Sequence, residues 1–286
     1  MRRASLLPWL YIAPALVFLG LFLIYPSLDT IRLSLMDARS QRFVGLDNYI
    51  YAFTTREMLI SFRNNFVLWL PFATSFTVAG GLIIAVLVDR VRYEPLAKAA
   101  IFLPQAISFV GAGVIWRFVY DHRPQLGLLN AILTGISDTS PRGWLSNPRY
   151  ATFALIVVFI WMWTGFAMII FSAAIKGIPR EIIEAAQSDG ANEWQIFWYV
   201  RVPMIQSTIG VVTTTMIIFV LKVFDLVYVM TAGRYETNVI ANQMYRELFV
   251  NRQNGRAAAI SVVLLVTIVP VMLVNIQRFR EQEALR

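Results

Sequence analysis

One stretch of the sequence decides how the rest of the chain is interpreted: residues 178–203, which read IPREIIEAAQSDGANEWQIFWYVRVP. Pro179 suits the first turn of a helix, where the missing N–H has no partner to lose, and Gly190 permits the positive φ that often ends a helix. Asn192 is suited to cap a second helix through its side-chain oxygen, and Pro203 predicts a break before the next apolar run. The stretch therefore predicts a helix, a glycine turn and a second helix.

The composition places this stretch in a membrane protein. Of 286 residues, 58% are hydrophobic and only 15% are charged, which is far from the average of soluble domains. The net charge of +8 comes from basic residues that flank apolar runs, so membrane lipid is the expected partner and nucleic acid is not. The absence of cysteine excludes disulfides and thiolate metal sites.

Six uncharged apolar intervals are long enough to cross about 30 Å of hydrocarbon, which takes roughly 20 helical residues. The third is the shortest and contains Pro104, so it is extended past Arg117. The first run is too long for the apolar core of a secretory signal, which predicts an uncleaved span. The sequence thus predicts an all-α membrane protein, a single domain over 1–286, with spans at about 4–28, 64–88, 99–118, 150–175, 202–224 and 257–277.

The spacing within 178–203 resembles the EAA loop of the inner-membrane permease subunits of ATP-binding-cassette (ABC) importers. That pattern is Glu-Ala-Ala, three residues, Gly, nine residues, Ile, one residue, Leu-Pro; here Val200 replaces the Ile and Val202 the Leu. Glu-Ala-Ala alone is ordinary helix composition, but the full spacing between two spans is specific. Without the resemblance, an interfacial helix that covers the bundle is an equal alternative. The coupling residues implied by the resemblance are Glu184, Ala185, Ala186, Asp189, Gly190 and Pro203.

The resemblance implies the six-helix fold of type I ABC importer permeases, in a bacterial inner membrane with both termini in the cytoplasm. Residues 176–203 would form a cytoplasmic coupling loop. The implied partners are a second homologous permease, two cytoplasmic ABC ATPase subunits that bind ATP and Mg, and an extracytoplasmic sugar-binding protein; this chain needs no cofactor. Charge counting does not decide the orientation, because the segments assigned to the cytoplasm carry 11 Lys and Arg and the external ones 14.

External segments resemble those of sugar-type permeases. Residues 43–49 (FVGLDNY) match a stretch that follows the first span in those permeases. The same residues are also typical of a turn followed by an interfacial helix that Tyr49 and Tyr51 anchor. Residues 127–130 (GLLN) lie in the loop after span three, as in those permeases. Residues 231–242 depart from the common pattern toward the α-glucoside and glucosylglycerol branch.

No motif for catalysis is found. The three lysines, Lys98, Lys176 and Lys222, do not follow glycine, so the chain has no phosphate-binding Walker loop, and no paired His or Cys spacing indicates a metal site or an enzyme. The six uncharged apolar intervals within these spans lack Asp, Glu, His and Lys, which argues against an ion-driven carrier. The prediction is a subunit that forms half of the path for a small carbohydrate, an oligosaccharide or glucoside. An ABC permease for glycerol 3-phosphate or polyamine, a stand-alone carrier and a membrane enzyme remain alternatives.

In sugar-type permeases the spans on either side of the EAA loop line the translocation path. The corresponding spans here carry aromatic, Met and Thr stripes at helical spacing, which either contact sugar or pack helices. Polar side chains in span three either bond neighbouring helices or face the path. Lys222 and Asp225 are expected to pair on one helical face, as the end of a span or as a gate. The path candidates are Phe159, Met162, Trp163, Phe166, Thr213, Met216, Val220, Gln105 and Ser108.

Overall fold

The computed structural model describes residues 7–137 and 139–284, so the predicted start of the first span, at residues 4–6, lies outside the described residues. Within these ranges the chain is helical, apart from loops and one β-bridge between Met36 and Phe43. The all-α prediction is confirmed. The α-helices are α1 (Leu7–Leu19), α2 (Tyr25–Ser34), α3 (Asp47–Thr54), α4 (Arg56–Arg63), α5 (Thr74–Val88), α6 (Glu94–Phe102), α7 (Phe109–Val119), α8 (Leu128–Ile136), α9 (Ala151–Lys176), α10 (Arg180–Ser188), α11 (Glu193–Ile196), α12 (Val202–Met204), α13 (Gln206–Leu221), α14 (Asp225–Thr231), α15 (Ile240–Tyr245) and α16 (Asn254–Ala284).

Several helices are joined by π-helical turns, in which the hydrogen bonds skip one residue more than in an α-helix. Such turns connect α1 to α2 over Gly20–Ile24 and α4 to α5 over Asn64–Ala73. Four continuous helices are therefore long and apolar enough to cross a membrane: Tyr11–Ser34, Arg56–Val88, Ala151–Lys176 and Asn254–Val274.

The third and fifth predicted spans are bent rather than straight. Glu94–Ala106 meets Phe109–Val119 at 99°, and Glu193–Met204 meets Gln206–Leu221 at 71°. The described chain reaches six spans only when each bent pair is counted as one. The predicted spans over 99–118 and 202–224 each contain one of these bends.

Each bend has a local cause. In the first, Pro104 lies in a 3-10 turn (Leu103–Ala106), and Ile107 and Ser108 then adopt extended backbone angles before α7 begins. In the second, the break lies at Ile205 and not, as predicted, at Pro203. The π turn Phe197–Arg201 shifts the backbone bonding by one residue, so the helix accommodates a proline that lacks an N–H.

Helix α9 is the centre of the bundle. Its N-terminal half packs in a cluster with α7, α13 and α14, and its C-terminal half packs with α5, α6 and α13. Two glycines permit the closest approaches: a side chain at Gly81 of α5 would collide with Ala167, and one at Gly165 would collide with the backbone of Ile101 and Phe102. Small residues at such contacts allow helices to pack tightly where lipid provides no hydrophobic driving force.

Candidate functional site

The segment between α9 and α13 folds as the sequence predicts. Helix α10 ends at Ser188, and Gly190 has a φ of +82°. The N–H of Gly190 bonds the carbonyl of Gln187 at 3.0 Å, and the N–H of Ala191 bonds that of Ala186 at 3.0 Å. This pair of bonds is the Schellman motif, which satisfies helix-end carbonyls and favours glycine at the left-handed residue.

The second short helix is capped as predicted. The side-chain oxygen of Asn192 accepts from the N–H of Gln195 at 2.9 Å, while the Gln195 side chain accepts from the N–H of Asn192 at 2.8 Å. This reciprocal capping box satisfies two backbone donors at the start of α11. The turn from α10 to α11 is thus fixed by backbone and side-chain bonds on both sides of Gly190.

Helix α10 leaves most of its surface uncovered: only Ile183 and Ala186 are half-buried, on the side that packs toward α11 and the π turn after it. Its residues are all exposed or half-buried, and the charged ones, Arg180, Glu181 and Glu184, form no ion pair within residues 7–137 and 139–284. Ala185 and Ala186, next to Glu184, contribute a strip of small side chains. A capped, charged helix with an uncovered face is suited to docking on another protein.

Helix α11, in contrast, is fastened to the bundle. Arg90, which follows α5, pairs with the carboxylate of Glu193, and Arg201 approaches the same Glu193 oxygen at 3.6 Å. Ile196 is 1% exposed and so anchors α11 by its apolar side. The two halves of the segment therefore differ, with α10 uncovered and α11 attached.

A charged cluster joins the ends of α5, α6 and α9 beside this segment. Lys98 Nζ lies 2.8 Å from Asp89 Oδ1 and 2.6 Å from Glu94 Oε1, and Lys176 pairs with the same Glu94 oxygen. The buried hydroxyl of Ser172 donates to Asp89 Oδ1 at 2.6 Å. The cluster connects three helices with charges that are largely withdrawn from solvent.

Farther along α9, aromatic residues surround a cavity of about 260 Å³. Trp163 is its centre: its ring lies 4.3 Å from that of Phe219 and 6.2 Å from that of Phe109, between centroids. The indole N–H of Trp163 is buried without a hydrogen-bond partner in the described chain. The cavity is lined by Phe109, Phe159, Trp163, Phe219, Lys222, Val223, Phe224, Asp225 and Leu226.

The structure brings only part of the predicted path together. Phe159 and Trp163 line the cavity, and Phe166 packs edge-on against Trp163 at 5.7 Å. The cavity-lining residues that sequence reasoning missed are Phe109 of α7, Phe219 of α13, Val223 in the break after α13 and Leu226 of α14. Met162, Met216 and Val220 are instead buried in the helix packing, and Thr213 is half-buried away from the cavity lining.

The polar residues of span three lie at its bend. Ser108 caps α7, with its hydroxyl accepting from the N–H of Gly111 at 3.1 Å. Gln105 is half-buried in the 3-10 turn, and its side-chain oxygen is buried without a hydrogen-bond partner among the described residues. Ser108 therefore stabilises the bend, and Gln105 retains an unused acceptor.

The predicted ion pair between Lys222 and Asp225 is not formed within the described chain, where neither side chain takes part in an ion pair. Helix α13 ends at Leu221, and Phe224 has irregular, non-helical backbone angles before α14 begins. The two residues consequently do not share one helical face. Both are exposed and stand at the cavity.

The external motifs place asparagines that join loops. Asn48, in FVGLDNY, donates to the carbonyls of Ser34 and Met36 at 2.8 and 2.7 Å. Asn130, in GLLN, donates to the carbonyl of Asp121 at 2.9 Å, and its own oxygen accepts from the N–H of Arg142 at 2.8 Å. These motifs hold the loops at the ends of neighbouring helices together.

Comparison with known proteins identifies the kind of protein that carries this arrangement. A family model described as "binding-protein-dependent transport system inner membrane component" matches residues 4–280. The osmoprotective compounds uptake permease protein GgtC of Synechocystis sp. is 58% identical over 97% of this chain and 100% of its own length. The alpha-glucoside transport system permease protein AglF of Rhizobium meliloti is 49% identical over 96% of this chain and 82% of its own.

Among solved structures, a chain of a bacterial alginate ABC transporter, in complex with an alginate pentasaccharide-bound periplasmic protein, is similar with a TM-score of 0.81. It is 25% identical over 94% of this chain and 92% of that chain. The fold expected from the resemblance, that of an ABC importer permease, is thereby confirmed. The chain belongs to the family of binding-protein-dependent transport system inner membrane components, the multi-pass permease subunits of ABC importers.

Proposed function

We propose that this chain is the permease subunit of an ATP-driven importer and forms half of the path for a small carbohydrate, an oligosaccharide or glucoside. The observation that carries the proposal is the pairing of an uncovered, doubly capped helix with an aromatic-lined cavity in one helical bundle. The relatives named for osmoprotective compounds and α-glucosides support the substrate class. The partners are a second homologous permease, two cytoplasmic ABC ATPase subunits and an extracytoplasmic sugar-binding protein.

In this proposal, energy enters through residues 176–203. ATP and Mg are bound by the ATPase subunits, and Glu184 with the Ala185 and Ala186 strip docks on them from the cytoplasm, where both termini also lie. Gly190 and the two caps keep α10 at a fixed angle to α11. Because α11 is tied to Arg90 and α9 runs into α10, a displacement of α10 moves the bundle as a body.

The cavity is the proposed position of the sugar within this half of the path. Aromatic rings suit the C–H faces of a pyranose, while the unpartnered N–H of Trp163, a cavity-lining residue, is available to a sugar hydroxyl. A solute such as glycerol 3-phosphate or polyamine calls for charges of opposite sign along its path, whereas the cavity lining is apolar or aromatic apart from Lys222 and Asp225. The four continuous spans carry few charges, and the family depends on a binding protein, so a stand-alone carrier is no longer proposed.

The test is uptake by the complete complex, reconstituted with its binding protein in ATP-loaded liposomes. Radiolabelled sucrose, trehalose and glucosylglycerol are compared with glycerol 3-phosphate and putrescine. We expect at least one of the sugars to be imported and the two charged solutes to be excluded. Import of a charged solute alone would overturn the substrate class.

The coupling residue is tested in the same liposomes. Glu184→Lys should lower the ATPase stimulation caused by the loaded binding protein about tenfold, and Glu184→Gln should lower it less, because reversal adds repulsion to the loss of attraction. Glu184 forms no ion pair within the described chain. Neither change should therefore reduce co-purification of this chain with the second permease. Unchanged stimulation by Glu184→Lys would remove this helix as the coupler.

A further inference from the structure

A continuous row of aromatic side chains extends away from the cavity. It consists of Phe224, Tyr228, Tyr245 and Phe249, which we call the aromatic track. Ring centroids are 5.3 Å apart for Phe224 and Tyr245, 4.9 Å for Tyr228 and Tyr245, and 4.8 Å for Tyr245 and Phe249. These rings come from the break between α13 and α14, from α14 and from α15 with the π turn that follows it, so the fold and not a single helix assembles them.

The track begins at the cavity itself. Phe224 is one of the cavity-lining residues, together with Trp163 and Phe219. A ligand that moves out of the cavity past Phe224 therefore contacts Tyr228 and Tyr245 next and Phe249 last. The cavity and the track form one surface of aromatic faces.

Exposure distinguishes the track from core packing. Trp69 also packs against a neighbouring ring, at 5.8 Å between centroids, but it is 0% exposed. Tyr228 is 41% exposed and Phe249 is 62% exposed, and Phe224 and Tyr245 are half-buried. Core packing thus accounts for Trp69 and does not account for the exposed faces of the track.

The track also carries phenolic hydroxyl groups beside its aromatic faces, where they can bond the hydroxyls of a sugar ring. The hydroxyl oxygens of Tyr228 and Tyr245 lie 3.4 Å apart, so both point to the same place beside the rings. A pyranose has apolar C–H faces and a rim of hydroxyls, and aromatic faces flanked by phenolic hydroxyls complement both parts.

We propose that the aromatic track is an access subsite on which pyranose rings stack before they enter the cavity. This inference rests on the proposed function, because the rings need a carbohydrate to bind. A belt of interfacial tyrosines in lipid and a contact with the second permease are the rival occupants of such a surface. Each rival predicts a different neighbour for Tyr245 during transport.

The neighbour is identified by photo-crosslinking in the complete reconstituted complex with its binding protein. The photoreactive residue p-benzoylphenylalanine replaces Tyr245 in one sample and Phe43, an exposed external aromatic outside the track, in the control. Irradiation during import of radiolabelled sucrose or glucosylglycerol should label the permease at position 245 at least fivefold more than at position 43. Crosslinks at 245 to lipid or to the second permease, without sugar label, would overturn the subsite.

A second measurement removes rings one at a time. Tyr245→Leu and Phe249→Leu should each slow uptake about three- to tenfold, the effect expected for one aromatic contact, whereas Tyr245→Phe, which keeps the ring and loses one hydroxyl, should slow uptake less than Tyr245→Leu does. Phe43→Leu is the matched control, and co-purification with the partner subunits confirms assembly. If the wild type imports sugar and the leucine variants equal it, the track is not a subsite; if the wild type imports none of the sugars, the proposed function fails, and the track with it.

Discussion

The coupling segment and the cavity lie in the same bundle but are specified by the sequence in different ways. The segment from Arg180 to Arg201 is local: one glycine, one capping box and one Schellman motif define its shape within 22 consecutive positions. The cavity is assembled from α7, α9, α13 and α14, which are up to 117 positions apart between Phe109 and Leu226. Local structure is encoded by single residues, and the cavity depends on how helices bend and pack.

This difference predicts distinct consequences for substitutions in the two regions. Changes in α10 should alter the transmission of energy while leaving assembly intact, because most of its surface is uncovered and its charged residues form no ion pair in the described chain. Changes around the cavity should affect transport and packing in proportions set by each residue's burial.

The largest effect is expected at Gly190. Its φ of +82° lies outside the range that proline can adopt, so Gly190→Pro must rebuild the turn between α10 and α11. We expect stimulation of the ATPase by the loaded binding protein to fall at least tenfold, to its basal level, in reconstituted complexes.

Gly190→Asn is the matched control, since asparagine tolerates the left-handed conformation better than other residues. It should retain most of the stimulation. Both variants should co-purify with the second permease as the wild type does. Full stimulation by the proline variant would show that the angle between α10 and α11 does not carry coupling.

Two tryptophans separate transport from packing in the cavity region. Trp69 is fully buried, and Trp69→Ala should destabilise the bundle by about 3–5 kcal/mol, seen as a lower melting temperature and yield. Trp163 is only half-buried and lines the cavity. Trp163→Ala should therefore reduce sugar uptake about tenfold while changing the melting temperature less than Trp69→Ala. Intact uptake by the Trp163 variant would remove this residue from the path.

The sequence predicts the helix, the glycine turn and the Asn192 cap because each depends on residues within four positions. It fails at Pro203, where a π turn moves the break to Ile205, and at Lys222 and Asp225, where the helix ends before the pair. Helical periodicity also assigned Met216 to the path, although tertiary packing buries it. Bends and contacts between distant helices have no local signature, and they decide which stripe residues reach the cavity.

The charged cluster near α10 tests whether the coupling segment has a rigid base. Lys98 and Lys176 contact the same oxygen of Glu94, but the side chain of Lys98 is 15% exposed and that of Lys176 is 50% exposed. Lys98→Met leaves Asp89 without its cation in a poorly solvated place and should destabilise the bundle by about 2–3 kcal/mol. Lys176→Met should cost about 0–1 kcal/mol, as exposed pairs do. Thermal unfolding of the two variants in the same detergent gives the comparison, and equal melting temperatures would contradict it.

The smallest effect is expected at Asn192. It tests whether the structure of the coupling segment is independent of the rest of the bundle. Asn192→Ala removes one half of the capping box, which is worth about 1 kcal/mol, whereas Asn192→Asp keeps an acceptor for the N–H of Gln195. Hydrogen exchange should therefore rise about fivefold at the start of α11 in the alanine variant and stay near the wild-type rate in the aspartate variant. Because Ile196 and the Arg90 pair hold α11 from other elements, exchange in α9 and α13 should not change. A rise that spread into those spans would mean that the cap supports the bundle as a whole, and the separation between a locally encoded segment and a globally assembled cavity would not hold.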